Sequence, residues 1–209
     1  MTFSVYCSVS DAIKEIKQGK LLIVTDATTR ENEGDLFIPA QDITPQHANF
    51  MITHGKGLMC VALTEKRAQA LQLPLMVAPN KNQEYTKCNF TVSVDAKHNI
   101  GSGVSAGDRS KTIQLLSSAQ TVSDDLVRPG HVFPLIAKKG GLVERQGHTE
   151  VALELCRLAQ KELVGVICEI IGDDGEMLRG KNLEHFAQEQ QLNIISIEKI
   201  LDHIYHEKT

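Results

Sequence analysis

Residues 21–40, LLIVTDATTRENEGDLFIPA, decide how this chain folds. The apolar runs LLIV and LFIPA are too short for helices and rich in residues that pack on a pleated surface, so each reads as a buried strand. Between them, residues 25–35 carry Arg30, Glu31, Glu33 and Asp35 with Gly34 in their midst, which makes a loop held between two strands. Polar loops on a rigid frame are where chemistry is usually carried.

The same reading extends outward in both directions. Upstream, Ser10 is placed to cap a helix using Ala12, Ile13 and Ile16, with Gly19 as its stop. Downstream, Thr44 and Pro45 start a helix that Gly55 ends, GLMCVAL (57–63) is a strand, and 64–71 a helix. Residues 74–87 hold two prolines and two asparagines without any period and read as a surface excursion. FTVSVDA (90–96) alternates like a strand, and GSGVSAGDRSKT (101–112) leads into a helix using Ile113 and Leu116. HVFPLIA (131–137) is a strand whose Pro134 calls for an edge or a bulge. GGLVERQGH (140–148) delivers the chain to a helix over 149–160, GVICEII (165–171) is a strand, and a helix, strand and helix fill 182–205.

Strands and helices interleave, yet several connections look like hairpins. The expected fold is α/β (α+β): a mixed, partly antiparallel sheet with helices packed around it, in a single compact domain over 1–209.

Composition excludes several classes of function. With 22 Lys and Arg against 26 Asp and Glu, the net charge is -4. No broad basic face exists for nucleic acid, and any hold on an anion falls to a few local groups. The opening residues MTFSVYCSVSDAIKEIK lack a basic lead and an apolar core, and no apolar run nears the roughly 20 residues that span a bilayer. Five cysteines, an odd number with no CxxC pair, point to reduced thiols and a cytoplasmic location.

Five segments could carry chemistry: RENEGD (30–35), GVSAGDR (103–109), PGHVFPL (129–135), ERQGHTE (144–150) and Glu169. The three acids of the first serve either solvation or a hard divalent cation. In the fourth, His148 and Thr149 sit at a helix start where free N–H groups attract phosphate and Arg145 adds charge, although Thr149 as an ordinary cap explains it equally well. His131 is either a rim histidine satisfied by a carbonyl or a general base. Glu169 interrupts a run that should be buried, which favours a task for it.

In this order, these segments resemble the 3,4-dihydroxy-2-butanone 4-phosphate synthase family, whose pattern includes RENEGD, GxSAxDR, PGHxFPL and RxGHTE. The resemblance implies a lyase of riboflavin biosynthesis that turns D-ribulose 5-phosphate into L-3,4-dihydroxy-2-butanone 4-phosphate and formate, through an enediolate and a skeletal rearrangement. It implies magnesium or manganese held by Glu31 and His148, and a substrate contacted by Arg30, Glu31, Asp35, Arg145, Gln146, Gly147, His148, Thr149 and Glu169. His131 and Glu169 correspond to the catalytic positions, and Glu33 with Ser105 to Arg109 to the same pocket. A homodimer with sites near the subunit interface is implied too, and the single-function form is expected because the cysteine cluster of a fused zinc-dependent cyclohydrolase is missing. Three departures stand out: Ala27–Thr29 where the family carries acids, Lys111 for threonine, and Ile136 for arginine. Competing readings are a metal-dependent aldolase or isomerase on another sugar phosphate, and a binding homologue without turnover.

Overall fold

The computed structural model describes residues 5–207, so Met1–Ser4 of the opening stretch lie outside it. In chain order the elements are α1 (Val9–Lys17), β1 (Leu22–Thr25), β2 (Gly34–Pro39), α2 (Pro45–Phe50, continued by a wider turn over Met51–Gly55), β3 (Cys60–Leu63) and α3 (Glu65–Ala70). There follow β4 (Val94–Ala96), α4 (Ala106–Ser117), β5 (Leu126–Ile136), α5 (Gly141–Glu144), α6 (His148–Leu158), β6 (Val164–Glu169), α7 (Gly180–Gln190), β7 (Ile194–Ser196) and α8 (Ile197–Glu207).

One seven-stranded sheet orders them β4-β5-β3-β6-β2-β1-β7. The β1–β7 and β3–β5 pairings are parallel and the others antiparallel, as the hairpin-like connections required. The runs Leu22–Val24 and Leu36–Pro39 within these strands are apolar because both faces are covered. Ile23, Leu36, Ile38 and Val61 pack on one side with α2, α4 and α7, through Met51, Ile113 and Leu183. Leu22, Val24, Phe37 and Ala62 pack on the other with α1, α6 and α8, through Ile16, Leu155 and Ile200. Each fully buried Leu, Ile or Phe contributes about 2 kcal/mol, so the hairpin β1–β2 is firmly anchored on both faces. Among the described residues, no helix is long and apolar enough to cross a membrane.

Several local expectations shift. Helix α1 begins two residues early, and Ser8 rather than Ser10 accepts the Asp11 N–H, at 3.1 Å. Gly147, not Thr149, is the residue before α6, so Thr149 sits in the first turn and its hydroxyl meets Cys88 Sγ at 3.7 Å instead of capping the helix. Pro134 lies in the second strand from the edge, paired with Val61; its carbonyl accepts from the Thr91 N–H at 3.0 Å. The irregularity falls earlier in β5, where pairing jumps from Val94–Val132 to Asp95–Val127 and residues 128–131 form a bulge. The excursion at 74–87 returns to the protein, with Leu75 bridging Thr91.

Candidate functional site

The β1–β2 hairpin and the start of α6 converge on one cavity of about 140 Å3. Its lining includes Arg30, Glu31, Glu33 and Asp35 from the hairpin, Arg145, His148 and Thr149 from the α5–α6 corner, and Glu169 from the end of β6. The sheet sets this meeting: Asp35 stands opposite Glu169 in the β2–β6 register, at the ends of two adjacent strands.

Asp26 holds the hairpin loop in shape. Its Oδ2 accepts the Glu31 N–H at 3.0 Å and the Arg30 guanidinium at 2.8 Å, and its Oδ1 accepts the Glu33 N–H at 2.9 Å. Burial opposes the charge on Asp26, but the Glu33, Arg30 and Glu31 donors outweigh it and hold the carboxyl below its usual range. Arg30 also pairs with Glu31, and Arg179 ties the loop from outside through Glu33 at 2.6 Å and the Glu31 carbonyl at 3.3 Å. A loop this heavily bonded presents Glu31 at low entropic cost.

His148 is 7% exposed, with Nδ1 3.7 Å from Asp35 and 3.9 Å from Glu31. Burial pushes its pKa down to about 4, against the pull of the Asp26 charge, so the ring is neutral near pH 7 and these approaches are not ion pairs. Its Nε2 is buried and makes no hydrogen bond to the described residues; nor does Asp35 Oδ1. One ligand atom each from Asp26, Glu31 and His148 falls within 4.8 Å of the others. Buried polar atoms left without partners ask for an explanation, and a hard cation supplies one here.

Asp35 is buried among acids. Burial and then the charges of Glu169 and Glu31 push its carboxyl well above the usual range. Burial also raises Glu169, whose Oε2 accepts the Leu58 N–H at 2.8 Å. Gly57 allows this approach: a Cβ there would lie 2.5 Å from Glu169 Oε2 and 2.7 Å from its carbonyl.

At the far end of the cavity Arg145 is fixed on three sides. Its Nη1 pairs with buried Glu150 at 2.6 Å, Nε donates to the Thr86 carbonyl at 3.2 Å and Nη2 to the Thr86 hydroxyl at 2.9 Å. Glu150 Oε1 accepts the Lys138 N–H at 3.0 Å. Glu84 caps the turn beside it by accepting the Thr86 and Cys88 N–H groups, and Glu84, Thr86 and Cys88 line the cavity with Cys60. The stretch read as a surface excursion thus ends as a wall of the site. Beside it, the start of α6 lines the same space with His148 and Thr149, an arrangement suited to phosphate.

Other expected residues stand elsewhere. Gln146 lines a neighbouring cavity with Asp26–Thr29 and Asn32, and Gly147 packs under the Arg145 guanidinium, where a Cβ would overlap Nη1. His131 projects from the β5 bulge with its side chain 45% exposed; its Nδ1 lies 2.7 Å from Asp95. Leu135, four residues further along β5, does line the cavity, which puts His131 roughly 13 Å away along the strand. Ser105 to Arg109 open α4, where Ser105 caps the Asp108 N–H, and lie on the His131 side. Of the departures, Ala27–Thr29 are exposed, Lys111 donates to the Asn99 carbonyl at 3.2 Å and Ile136 packs on the core. None of them takes a partner from the cavity.

Asp26, Thr86 and Glu150 were missed from the sequence. Their only signals were proximity: an acid one residue past a strand, a threonine near an irregular turn, and an acid in the first turn of a helix that already had reason to carry one.

Known proteins resemble this chain in sequence and in fold. Residues 10–203 match the family model of 3,4-dihydroxy-2-butanone 4-phosphate synthase. The Campylobacter jejuni protein of that name is 47% identical over 198 residues, covering 95% of this chain and 58% of the relative. The chloroplastic bifunctional riboflavin biosynthesis protein RIBA 1 of Arabidopsis thaliana is 46% identical over 196 residues, 94% of this chain and 36% of the relative. The chain therefore spans about half, or less, of the curated relatives it matches. Among solved structures, a 3,4-dihydroxy-2-butanone 4-phosphate synthase in complex with two magnesium ions superposes with a TM-score of 0.92 at 40% identity, covering 98% of both chains. The two-domain synthase of A. baumannii superposes at 0.90 with 42% identity over 94% of this chain and 57% of that one. Matched over nearly its whole length by that family's model, its relatives and its fold, the chain belongs to the 3,4-dihydroxy-2-butanone 4-phosphate synthase family.

Proposed function

We propose that this chain converts D-ribulose 5-phosphate into L-3,4-dihydroxy-2-butanone 4-phosphate and formate, as a carbon–carbon lyase of riboflavin biosynthesis. The observation that carries the reading is the union, in one cavity, of a cation-sized gap between Glu31 and His148, two raised carboxyls, and a helix start beside Arg145.

Glu31 and His148 are the residues that would hold magnesium or manganese. The neutral His148 ring, whose buried Nε2 makes no hydrogen bond to the described residues, and the carboxylate beside it fit such an ion. Asp26, whose oxygens already accept three donors, shapes the loop. When bound, the cation supplies Lewis acidity next to a ketone and lowers the cost of charge developing on its oxygen. The protein does the rest. Thr149 and Arg145 take the phosphate end, which orients the carbon chain towards Glu169 and Asp35. Their raised carboxyls are stronger bases than an ordinary acid, which suits them to taking up and returning protons. Arg30, braced by Asp26, holds Glu31 in place and faces the substrate oxygens.

His131 supplies a further proton-transfer group in this reading. Its distance from the cavity of its own chain favours a homodimer in which it reaches the partner's site. Cytoplasmic conditions suit the five unpaired cysteines, of which Cys156 is pushed up to about 12 by burial and is inert.

The decisive assay is formate release from ribulose 5-phosphate, with magnesium and with a chelator. Formate that depends on the metal supports the reading. Binding of the sugar phosphate without formate means a homologue lacking turnover, and another product means a different sugar-phosphate reaction.

A further inference from the structure

The segment 101–109 and the strand residue Asp95 have no task in the cavity of Glu31 and His148, and both are built around His131. Asp95 is 4% exposed, and His131 occupies both of its oxygens. The His131 N–H donates to Oδ1 at 2.9 Å, and Oδ2 lies 2.7 Å from Nδ1. Burying a carboxylate is costly unless it is fully paired, and one residue here supplies the pairing from its backbone and its ring together.

Two glycines make the approach possible. A Cβ on Gly130 would overlap the Val94 and Asp95 backbone, so its absence lets the bulge lie flat on β4, where the Gly130 N–H reaches the Ser93 hydroxyl at 3.2 Å. A Cβ on Gly103 would overlap the Asp95 carboxylate and lie 2.7 Å from His131 Nδ1. Gly103 has φ +88°, a conformation that side chains resist, and Asp108 holds it there by accepting the Gly103 N–H at 3.1 Å and the Gly101 N–H at 3.0 Å. The motif GSGVSAGD is the outer wall of this histidine's seat.

We propose that Asp95 is the positioning residue of His131, fixing its ring proton on Nδ1 and leaving Nε2 as an outward-facing base, with Gly103 and Asp108 closing the seat behind it. The inference rests on the reaction proposed above insofar as it gives the dyad a role in turnover. Asp95→Asn replaces an acceptor by a group that can donate to Nδ1 and favours the opposite tautomer.

The test uses the full chain with magnesium. Asp95→Asn is expected to lower kcat about 100-fold, with KM and magnesium affinity within about twofold of wild type. Adding Asp95→Asn to His131→Ala is expected to cost nothing further, since residues acting as a unit do not add. Nitrogen-15 spectra of the imidazoles, with the His131 signal assigned by its loss in His131→Ala, should show the Nδ1–H tautomer in wild type and its depletion in Asp95→Asn. An Nε2–H tautomer in wild type overturns the proposal and requires only that His131→Ala, a change at a side chain 45% exposed, folds for the assignment. So does wild-type kcat in Asp95→Asn when His131→Ala is inactive. Wild-type protein that releases no formate counts against the reaction instead, and the spectra still decide the dyad.

Discussion

Asp35 and Glu169 face each other across the antiparallel β2–β6 pairing, and both carboxyls are raised by burial. Two acids placed side by side in a cavity cannot both ionise cheaply, so the pair keeps a proton that a solvated pair would lose. In the proposed reaction the same burial suits them to carrying protons, at a cost in stability.

A pH signature follows for the metal-free protein. An acid whose pKa is higher folded than unfolded binds more protons in the folded state, so stability falls as pH rises from the ordinary carboxylate range through the raised value of Asp35. Asp35→Asn removes that penalty: its melting temperature in chelator should decline less between acidic and neutral pH, and exceed wild type at pH 7, while formate production is lost. Melting curves across that range check this, and parallel wild-type and variant profiles would show that Asp35 is ionised without cost.

Glu169→Gln keeps an acceptor for the Leu58 N–H and the shape of the site. Substrate affinity should persist while kcat falls by roughly 10²- to 10⁴-fold, the usual share of one proton-transfer group. Isothermal titration alongside steady-state rates separates the two quantities, and wild-type turnover removes Glu169 from the chemistry.

His148→Ala deletes a ring nitrogen that finds no hydrogen-bond partner among the described residues. The magnesium concentration for half-maximal rate should rise at least ~10-fold, with Asp26→Asn showing a smaller rise because it loosens the Glu31 loop without removing a ligand. Unchanged metal titration in His148→Ala would falsify the coordination scheme.

These residues were not equally visible in the sequence. Glu31, Asp35 and Glu169 stood out because apolar strands flank them, and an acid set against a strand pattern needs a reason. The mixed sheet was legible for the same cause, since runs such as LLIV and LFIP are apolar on both faces only when both are covered. Asp26 and Glu150 were hidden because their partners are backbone N–H groups and an arginine brought near by folding, and each doubles as a plausible loop or cap acid. Asp95 was hidden by its strand, whose alternation suggested an outward polar residue, whereas the 128–131 bulge buries it. Gln146 could not be oriented at all, because a loop has no period from which to read a direction.

The wall formed by 84–88 separates affinity from stability. Thr86→Val removes the hydroxyl's contacts to Glu84 and Arg145; the loss at Arg145, worth about 1 kcal/mol, should raise KM for ribulose 5-phosphate about fivefold with kcat little changed. Glu150→Ala instead strands a mostly buried guanidinium and should destabilise the fold by roughly 3 kcal/mol. Urea unfolding of both variants distinguishes these outcomes, and an equal loss of stability in the two would mean that Thr86 only braces the wall.

The proposed dimer makes its own prediction through the placement of His131. If each site combines Glu169 of one chain with His131 of the other, His131→Ala and Glu169→Gln are separately inactive yet complementary. A mixed dimer then holds one site with both residues intact and one with neither. Unfolding and refolding the two variants together at equal concentration should yield half mixed dimers, and so about a quarter of wild-type activity. If both residues serve the same chain's site, every site in the mixture is damaged and activity stays at the level of the separate variants. A monomer in sedimentation that is nevertheless active would place His131 outside the reaction, because its exposed bulge lies too far along β5 from the cavity for its own ring to reach Glu169.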